Sequence, residues 1–365
     1  MTGSVASKIS ITRLDLNNPD HIDSWNAYVD GYGERGHHHS VNYVNLSMMN
    51  GLHENLSLMA FYDNEIVGVL PLVGMRHWLL GNKAISLPFL NYGGPLADTA
   101  DVEEVLCDYA LNLAAERKYT QVQLRSDSKL ADSLTTTRGW QQFSHKACML
   151  LPLPSDPNAL GVGNASKRAK LRSQAFVANR KAESMGITFE QLFGGAEYLD
   201  DFYAVISENM RDLGTPVWPK SFFEQVFALT DSEITIAYWD GKPVAAGWLF
   251  FHPGERVSIP WASTLKKMNP MSVNTHLYFG ILCRCIKHGK ALFDFGRSTV
   301  DSGTYRFKAQ WGAAPQQCYW YCRRVDGKQI KDGNGMAEKL VPIWKKLPLW
   351  VANRIGPYIM PYLPA

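Results

Sequence analysis

No run of ~18 uninterrupted apolar residues occurs in the 365-residue chain, so no stretch reads as a helix able to cross a membrane. No secretory leader is recognisable either, and the expectation is a cytoplasmic protein. Six cysteines (Cys107, Cys148, Cys283, Cys285, Cys318, Cys322) lack zinc spacing and sit in apolar runs, which favours reduced core thiols over disulfides or a metal site. No Ser-His-Asp or Cys-His arrangement stands out, so a covalent enzyme intermediate is not indicated. Charge is sparse as well. Only 19% of residues are charged and the net charge is +3, which gives no general field for nucleic acid or membrane; any basic partner surface has to be local.

Core-forming material is plentiful, with 46% of residues apolar. The length points to two domains. Helices are expected over 20–30 and 41–52, with GYGERGHHHS between them. Three adjacent histidines (His37, His38, His39) point in different directions on any regular element, so this stretch is expected as a loop rather than a metal site.

The order of elements repeats. The hairpin AFYDNEIVGVLPLV (60–73) matches AYWDGKPVAAGWLFF (237–251), and the strand VQLRS (122–126) matches FDFGRS (293–298). RGW (138–140) and QWG (310–312) each precede a closing strand, so two copies of one mixed α/β unit account for most of the chain. Expected boundaries are 8–160 and 186–330 for the two domains, 161–185 for a basic helical connector and 336–365 for a tail. The connector carries Lys167, Arg168, Lys170, Arg172, Arg180 and Lys181 before its first acid, Glu183. Such a run is either a solvated helix face or a phosphate-binding surface for a nucleotide, a coenzyme or RNA, with Lys167 and Arg168 as candidate contacts. Near-absence of aromatic interleaving argues against a base-stacking platform.

Residues 290–312, KALFDFGRSTVDSGTYRFKAQWG, concentrate the candidate chemistry. Leu292, Phe293 and Phe295 flank Asp294 in a strand-length apolar run that Gly296 ends, so Arg297 and Ser298 are expected to emerge at the strand's carboxyl end, where α/β sheets keep ligand sites. Ser302 or Thr304 can cap a following helix whose first turns carry Arg306 and Lys308, which would place two cations beside exposed backbone N–H groups. That corner suits an anion or a developing oxyanion, and Asp294 is either a base or an ion-pair partner of Arg297 or Arg306.

A duplicated α/β unit carrying DFGRS, the following G-x-Y-x-F-K-x-x-W-G and the upstream LGTPVWPK (213–220) resembles the FemAB-like branch of the GNAT acyltransferase superfamily, over roughly residues 8–325. It is most similar to FemAB-related proteins associated with exosortase and exopolysaccharide systems, whose ends also resemble WKKLPLWVANRIGP here. The resemblance implies two tandem GNAT-like domains, each a mixed, mostly antiparallel sheet flanked by helices, with the site carried by the second. It implies transfer of an acyl or aminoacyl group, from acyl-CoA or aminoacyl-tRNA, to an amine of a sugar or peptide precursor, for which a nucleotide- or polyprenol-linked form is one option; no metal-ligand cluster stands out in the sequence, so no metal is expected. Lys308 matches the family lysine of F-K-x-x-F/W-G, implicated at the acyl carbonyl or acceptor phosphate. Arg297, Tyr305 and Asn274 match recurrent positions, with substrate binding as the implied role. The phosphate loop of ordinary GNAT enzymes, Q/R-x-x-G-x-G/A, is absent from both copies, which read MRHWLLGNK and WASTLKKMN. The alternative is therefore a non-catalytic binding or assembly protein that keeps the fold. The last stretch, 339–365, has four cations, several aromatics and no acid, and is expected to form short helical pieces that either contact the cytoplasmic membrane face or fold back and pack on the catalytic domain.

Overall fold

The computed structural model describes residues 8–49, 51–78, 81–160, 166–330 and 335–363, and side chains for all of these except 166–170 and 335–339. The chain forms two units, Met1–Ala147 with Gln316–Asp332 and Tyr362–Ala365, and Cys148–Pro315 with Gly333–Pro361. This division differs from the linear one expected at 160 and 186, because each half of the chain gives one strand to the other unit's sheet.

In the first unit, β1 (Ser10–Arg13) leads to α1 (Pro19–Asp30), which Asn18 caps by accepting from the Asp20 N–H. The expected loop is instead two short 3-10 turns, Gly33–Arg35 and His37–His39, running into α2 (Val41–Ser47). Burial is the reason. His38 and His39 lie inside; the His39 ring hydrogen-bonds the Gly94 carbonyl at 2.7 Å, and desolvation lowers its pKa to about 4, making it a neutral packing group. Then come β2 (Glu54–Asn55), β3 (Leu58–Tyr62), β4 (Glu65–Leu70), β5 (Val73–His77), β6 (Gly81–Ile85) and β7 (Leu96–Ala97). Next are α3 (Ala100–Glu116), capped by Thr99, then β8 (Gln121–Ser126), α4 (Asp132–Thr136) and β9 (Gln141–Phe143).

The second unit begins with β10 (Lys146–Pro152), α5 (Ser166–Ala175), α6 (Val177–Met185) and β11 (Phe189–Gly194). It continues with α7 (Leu199–Leu213), α8 (Lys220–Leu229), β12 (Ser232–Trp239), β13 (Lys242–Phe251) and β14 (Arg256–Thr264). After α9 (Val273–Lys287) come β15 (Leu292–Thr299), α10 (Gly303–Gln310) and β16 (Ala314–Gln317). The chain then supplies β17 (Tyr319–Arg324) to the first unit, and α11 (Gly335–Trp344) and α12 (Leu349–Ile359) to the second.

The repeat is visible in backbone detail. Asp63 and Asn64 take φ of 49° and 69°, and Asp240 and Gly241 take 53° and 70°, so each copy turns through the primed two-residue turn that matches strand twist. Both hairpins also shift register at the same place, between Ala60 and Phe61 and between Ala237 and Tyr238. They differ downstream. In the first copy Pro71 lacks the N–H a continuous strand would need, and the hairpin arm breaks into β4 and β5, giving sheets β1-β3-β4-β7 and β2-β5-β6-β8-β17-β9. In the second copy β13 runs unbroken through one sheet, β11-β12-β13-β14-β15-β10-β16.

The core of the second unit is aromatic. Trp248 on β13 is fully buried against Phe202 of α7 at 4.9 Å and Phe223 of α8 at 5.8 Å between ring centroids. The LGTPVWPK stretch is the α7–α8 connector that seals this core. Gly214, at φ 87°, ends α7, Trp218 stacks on Phe222 at 4.5 Å, and Tyr203 donates to the Trp218 carbonyl. None of the six cysteines is in a disulfide, and five of them are buried.

Candidate functional site

Strands β14 and β15 are parallel, pairing Arg256 with Leu292, Val257 with Phe293 and Ser258 with Asp294. The ladder stops there, although β14 runs on to Thr264 and β15 to Thr299. Their outer edges are taken by β13 and β10, and beyond the third pair the two facing edges are not paired with each other among the described residues.

The walls are built from the residues singled out in sequence. Asp294 lies at the foot of the opening and is fully buried; it is ion-paired with Arg256 on β14, and its Oδ1 accepts from the Gly296 N–H at 2.7 Å. Its partner is thus Arg256 rather than Arg297 or Arg306, and both carboxylate oxygens are committed to holding the strands. Gly296, at φ 74°, kinks β15 in a conformation that favours glycine. In a regular strand successive carbonyls point to opposite edges, but this kink brings the Gly296 and Arg297 carbonyls to a single donor, the Lys308 ammonium, at 3.0 and 3.1 Å.

Lys308 is therefore not the surface cation at a helix start that its sequence position indicated. Ser302 does cap α10, accepting from the Tyr305 N–H at 3.2 Å, but the helix is so short that Lys308 already lies in its last turn. Phe307 packs on Tyr278 at 5.2 Å and Trp311 is buried, which fixes the inward face of α10 and places Lys308 on β15 at 8% exposure. Desolvation lowers its pKa to about 8, against the opposing pull of Asp294. Arg306 stays exposed.

Ser298 is 5% exposed, and its hydroxyl has no hydrogen-bond partner among the described residues. A buried hydroxyl with no internal partner calls for an explanation. Arg297 and Tyr305 are half-buried beside it in sequence and on α10. Because β14 and β15 are parallel, the carboxyl end of β14 lies at the same sheet edge. There Asn274, in the first turn of α9, contacts Thr264 at 3.3 Å, and Asn209 of α7 donates to Ser263 at 3.1 Å. Between β14 and α9, where a glycine-rich phosphate loop would sit, the chain forms a 3-10 helix, Lys266–Met271, containing Pro270. Helix α5 packs against α9 and α10, but the side chains of Lys167 and Arg168 lie outside the described residues. No metal-binding group of His, Cys, Asp or Glu occurs among the described residues.

The equivalent place in the first unit is filled by the chain itself. Strands β6 and β8 also pair in parallel over three residues only, Lys83 with Gln121 to Ile85 with Gln123. Beyond them, Ser86 and Gly93 donate to the Gln123 and Arg125 carbonyls, each at 2.9 Å. Arg125, 1% exposed, donates to the carbonyls of Pro88 and Leu90 and lies over the Trp320 ring at 4.7 Å. Among the described residues, the second unit keeps the opening and the first does not. A cavity of about 370 Å³ at the opposite strand ends, lined by Ser232, Glu233, His288 and Lys290 among others, is distinct from it, and its Glu233 and Lys290 are already bound to Arg284 and to backbone carbonyls.

Residues 166–309 match the family model described as "Acetyltransferase (GNAT) domain". The matched span holds β11 to β15 of the open sheet, α9 and most of α10. Whole-chain structural neighbours extend the likeness to both units. The structure titled "Crystal structure of FemX" aligns with a TM-score of 0.62 at 12% identity, covering 86% of this chain and 96% of that one. A tandem GNAT protein from the clavulanic acid biosynthesis pathway aligns at 0.59 and 12%, covering 89% and 100%. L-PGS from Bacillus licheniformis aligns at 0.55 and 14%, covering 92% and 98%. No curated protein matches the chain in sequence. The fold is two tandem GNAT-like domains with mixed sheets flanked by helices, as the resemblance implied.

Sequence reasoning missed Arg256, which lies 38 residues before Asp294 with no local pattern to link them. It also missed Thr264, the partner of Asn274. Ser298, Lys308 and Gly296 were found together because they share one short segment.

Proposed function

We propose that the protein is an N-acyltransferase that moves an acyl or aminoacyl group to an amine of a sugar or peptide precursor in cell-envelope or exopolysaccharide synthesis. The observation that carries this reading is the parallel ladder left open after its third pair in the second unit alone, with the Lys308 ammonium and the unpartnered Ser298 hydroxyl at its edge. An extended thioester or ester arm can enter where β14 and β15 part, which would hold its carbonyl in place before reaction. The acceptor amine attacks that carbonyl, the leaving group departs with the electron pair, and the amine's proton passes to solvent or to the leaving group. Lys308 uses two of its three N–H donors on the Gly296 and Arg297 carbonyls, so one remains for the developing oxyanion. The Ser298 hydroxyl orients the same substrate, Arg297 and Asn274 hold its anionic and polar parts, and Tyr305 borders it. The GNAT match and the FemX and tandem GNAT neighbours support this chemistry.

The 3-10 helix Lys266–Met271 stands where a coenzyme A pyrophosphate would be cradled by glycines, and this favours aminoacyl-tRNA over acyl-CoA as the donor. Incubation with labelled acyl-CoA, or with charged tRNA, and an amino-sugar nucleotide tests both. Label on the acceptor from either donor supports transfer, and label from tRNA alone supports the donor choice. No transfer from any donor, combined with tight binding of the acceptor, would instead favour the non-catalytic binding protein.

Ser298→Ala gives a sharper check. Removing a buried hydroxyl that makes no internal bond is expected to leave the melting temperature unchanged or slightly raised. Turnover should nevertheless fall by about tenfold, the worth of one substrate hydrogen bond. Equal loss of stability and activity would mean that Ser298 serves the fold.

A further inference from the structure

Helix α12 presents its faces the wrong way round for a helix that merely covers a core. Its small residues face inward: Ala352 and Gly356 are buried, and a side chain at Gly356 would meet the Val217 backbone nitrogen at 3.0 Å. Asn353 donates to Ser207 of α7 at 3.3 Å, and Arg211 of α7 donates to the Leu347 carbonyl at 2.9 Å, so the helix is held on its unit by close backbone approach. Its large residues face outward. Trp350 and Tyr358 are 73% and 77% exposed, with Ile355 beside them at 42% and Ile343 of α11 at 61%. Trp350, Arg354 and Tyr358 recur at four-residue spacing, which aligns them along one stripe. Exposed apolar residues grouped in this way mark an interaction surface rather than scatter.

Charge selects the partner. Lys345 and Lys346 are exposed in the turn that joins α11 to α12 and Arg354 is exposed on α12; the three form no ion pair among the described residues, and no acid occurs from Lys339 onward. We infer that the outer face of α11 and α12 docks on a bilayer surface containing anionic phospholipid. Trp350 and Tyr358 sit at headgroup depth, Ile343 and Ile355 enter the acyl boundary, and the three cations meet the phosphates. Nucleic acid is the weaker partner for this surface, because exposed isoleucines gain nothing against a phosphate backbone. No helix among the described residues is long and apolar enough to span, so the contact is peripheral. This inference does not rest on the transfer reaction.

Flotation of the full chain with phosphatidylcholine vesicles, and with vesicles in which phosphatidylglycerol replaces part of the phosphatidylcholine, tests it. The protein is expected to float with the anionic vesicles and at least tenfold less with neutral ones, and the binding should weaken as salt is raised. The double variant Trp350→Ala/Tyr358→Ala should lose binding at least tenfold while keeping the wild-type thermal melt, since neither side chain is buried. Lys345→Glu/Lys346→Glu should remove the preference for the anionic vesicles. No flotation with either composition, or equal flotation of wild type and the aromatic double variant, overturns the proposal. So does an aromatic double variant that no longer self-associates or no longer retards RNA in a gel, when wild type does so without binding vesicles.

Discussion

Arg256→Met is expected to lower stability by about 3–5 kcal/mol, because it leaves the buried Asp294 carboxylate without its cation while the Gly296 N–H still ties it in place. The double variant Arg256→Met/Asp294→Asn should recover much of that loss, since asparagine keeps an acceptor for Gly296 without a charge. Urea denaturation midpoints for wild type, the single variant and the double variant measure the difference. A single variant as stable as wild type would show that the ion pair bears no weight at the foot of the opening. Activity should fall in both variants, because the pair fixes the separation of β14 and β15 from which the site begins.

The second large effect concerns Lys308. Lys308→Met should slow transfer by about 100- to 1000-fold, the cost typical of losing an oxyanion donor. Its titration gives two further signatures. Burial lowers the lysine's pKa from the ordinary 10.5 to about 8, so between those values the unfolded chain binds the proton and the folded chain does not. Stability contributed by this group must therefore rise as pH increases from about 8 towards 10.5, by about 3 kcal/mol in all. Below pH 8 the penalty for burying the ammonium is fully present. Subtracting the pH profile of Lys308→Met from that of wild type isolates the increment, and two parallel profiles would refute it. Wild-type turnover should decline as pH rises through about 8, because the ammonium that faces the oxyanion is lost. A Lys308→Met enzyme that turns over normally would remove the residue from the mechanism.

Much of the fold was legible because its signals are local. Asp63-Asn64 and Asp240-Gly241 name their own turn, Ser302 is a recognisable cap, and alternating apolar runs mark both hairpins. The candidate site was legible for the same reason, since Gly296, Arg297, Ser298 and Lys308 fall within one strand and the next helix. What failed was direction and distance. Whether Lys308 points outward depends on the packing of Phe307 and Trp311, and that is decided by Tyr278 on another helix. The pairing of Arg256 with Asp294 depends on which strands become neighbours. Nothing in an apolar run says that Tyr319–Arg324 will join β8 rather than β15.

That choice of neighbours has a consequence for synthesis. Strand β17 lies between β8 and β9, pairing Tyr319 with Ser126 and Trp320 with both Arg125 and Phe143, so β9 has no strand partner until residue 320 has been made. The ribosome delivers the amino-terminal domain first, but its sheet cannot be completed until Arg324 has emerged, after the second unit's strands β11 to β16. Through that interval β8 presents a bare edge, the condition in which nascent chains are most open to mispairing with one another. Slower translation or a holding chaperone would therefore change the yield of native protein more than it would for two domains folding independently in tandem. A chain released early, after a complete first copy by sequence, would still lack the strand that finishes it.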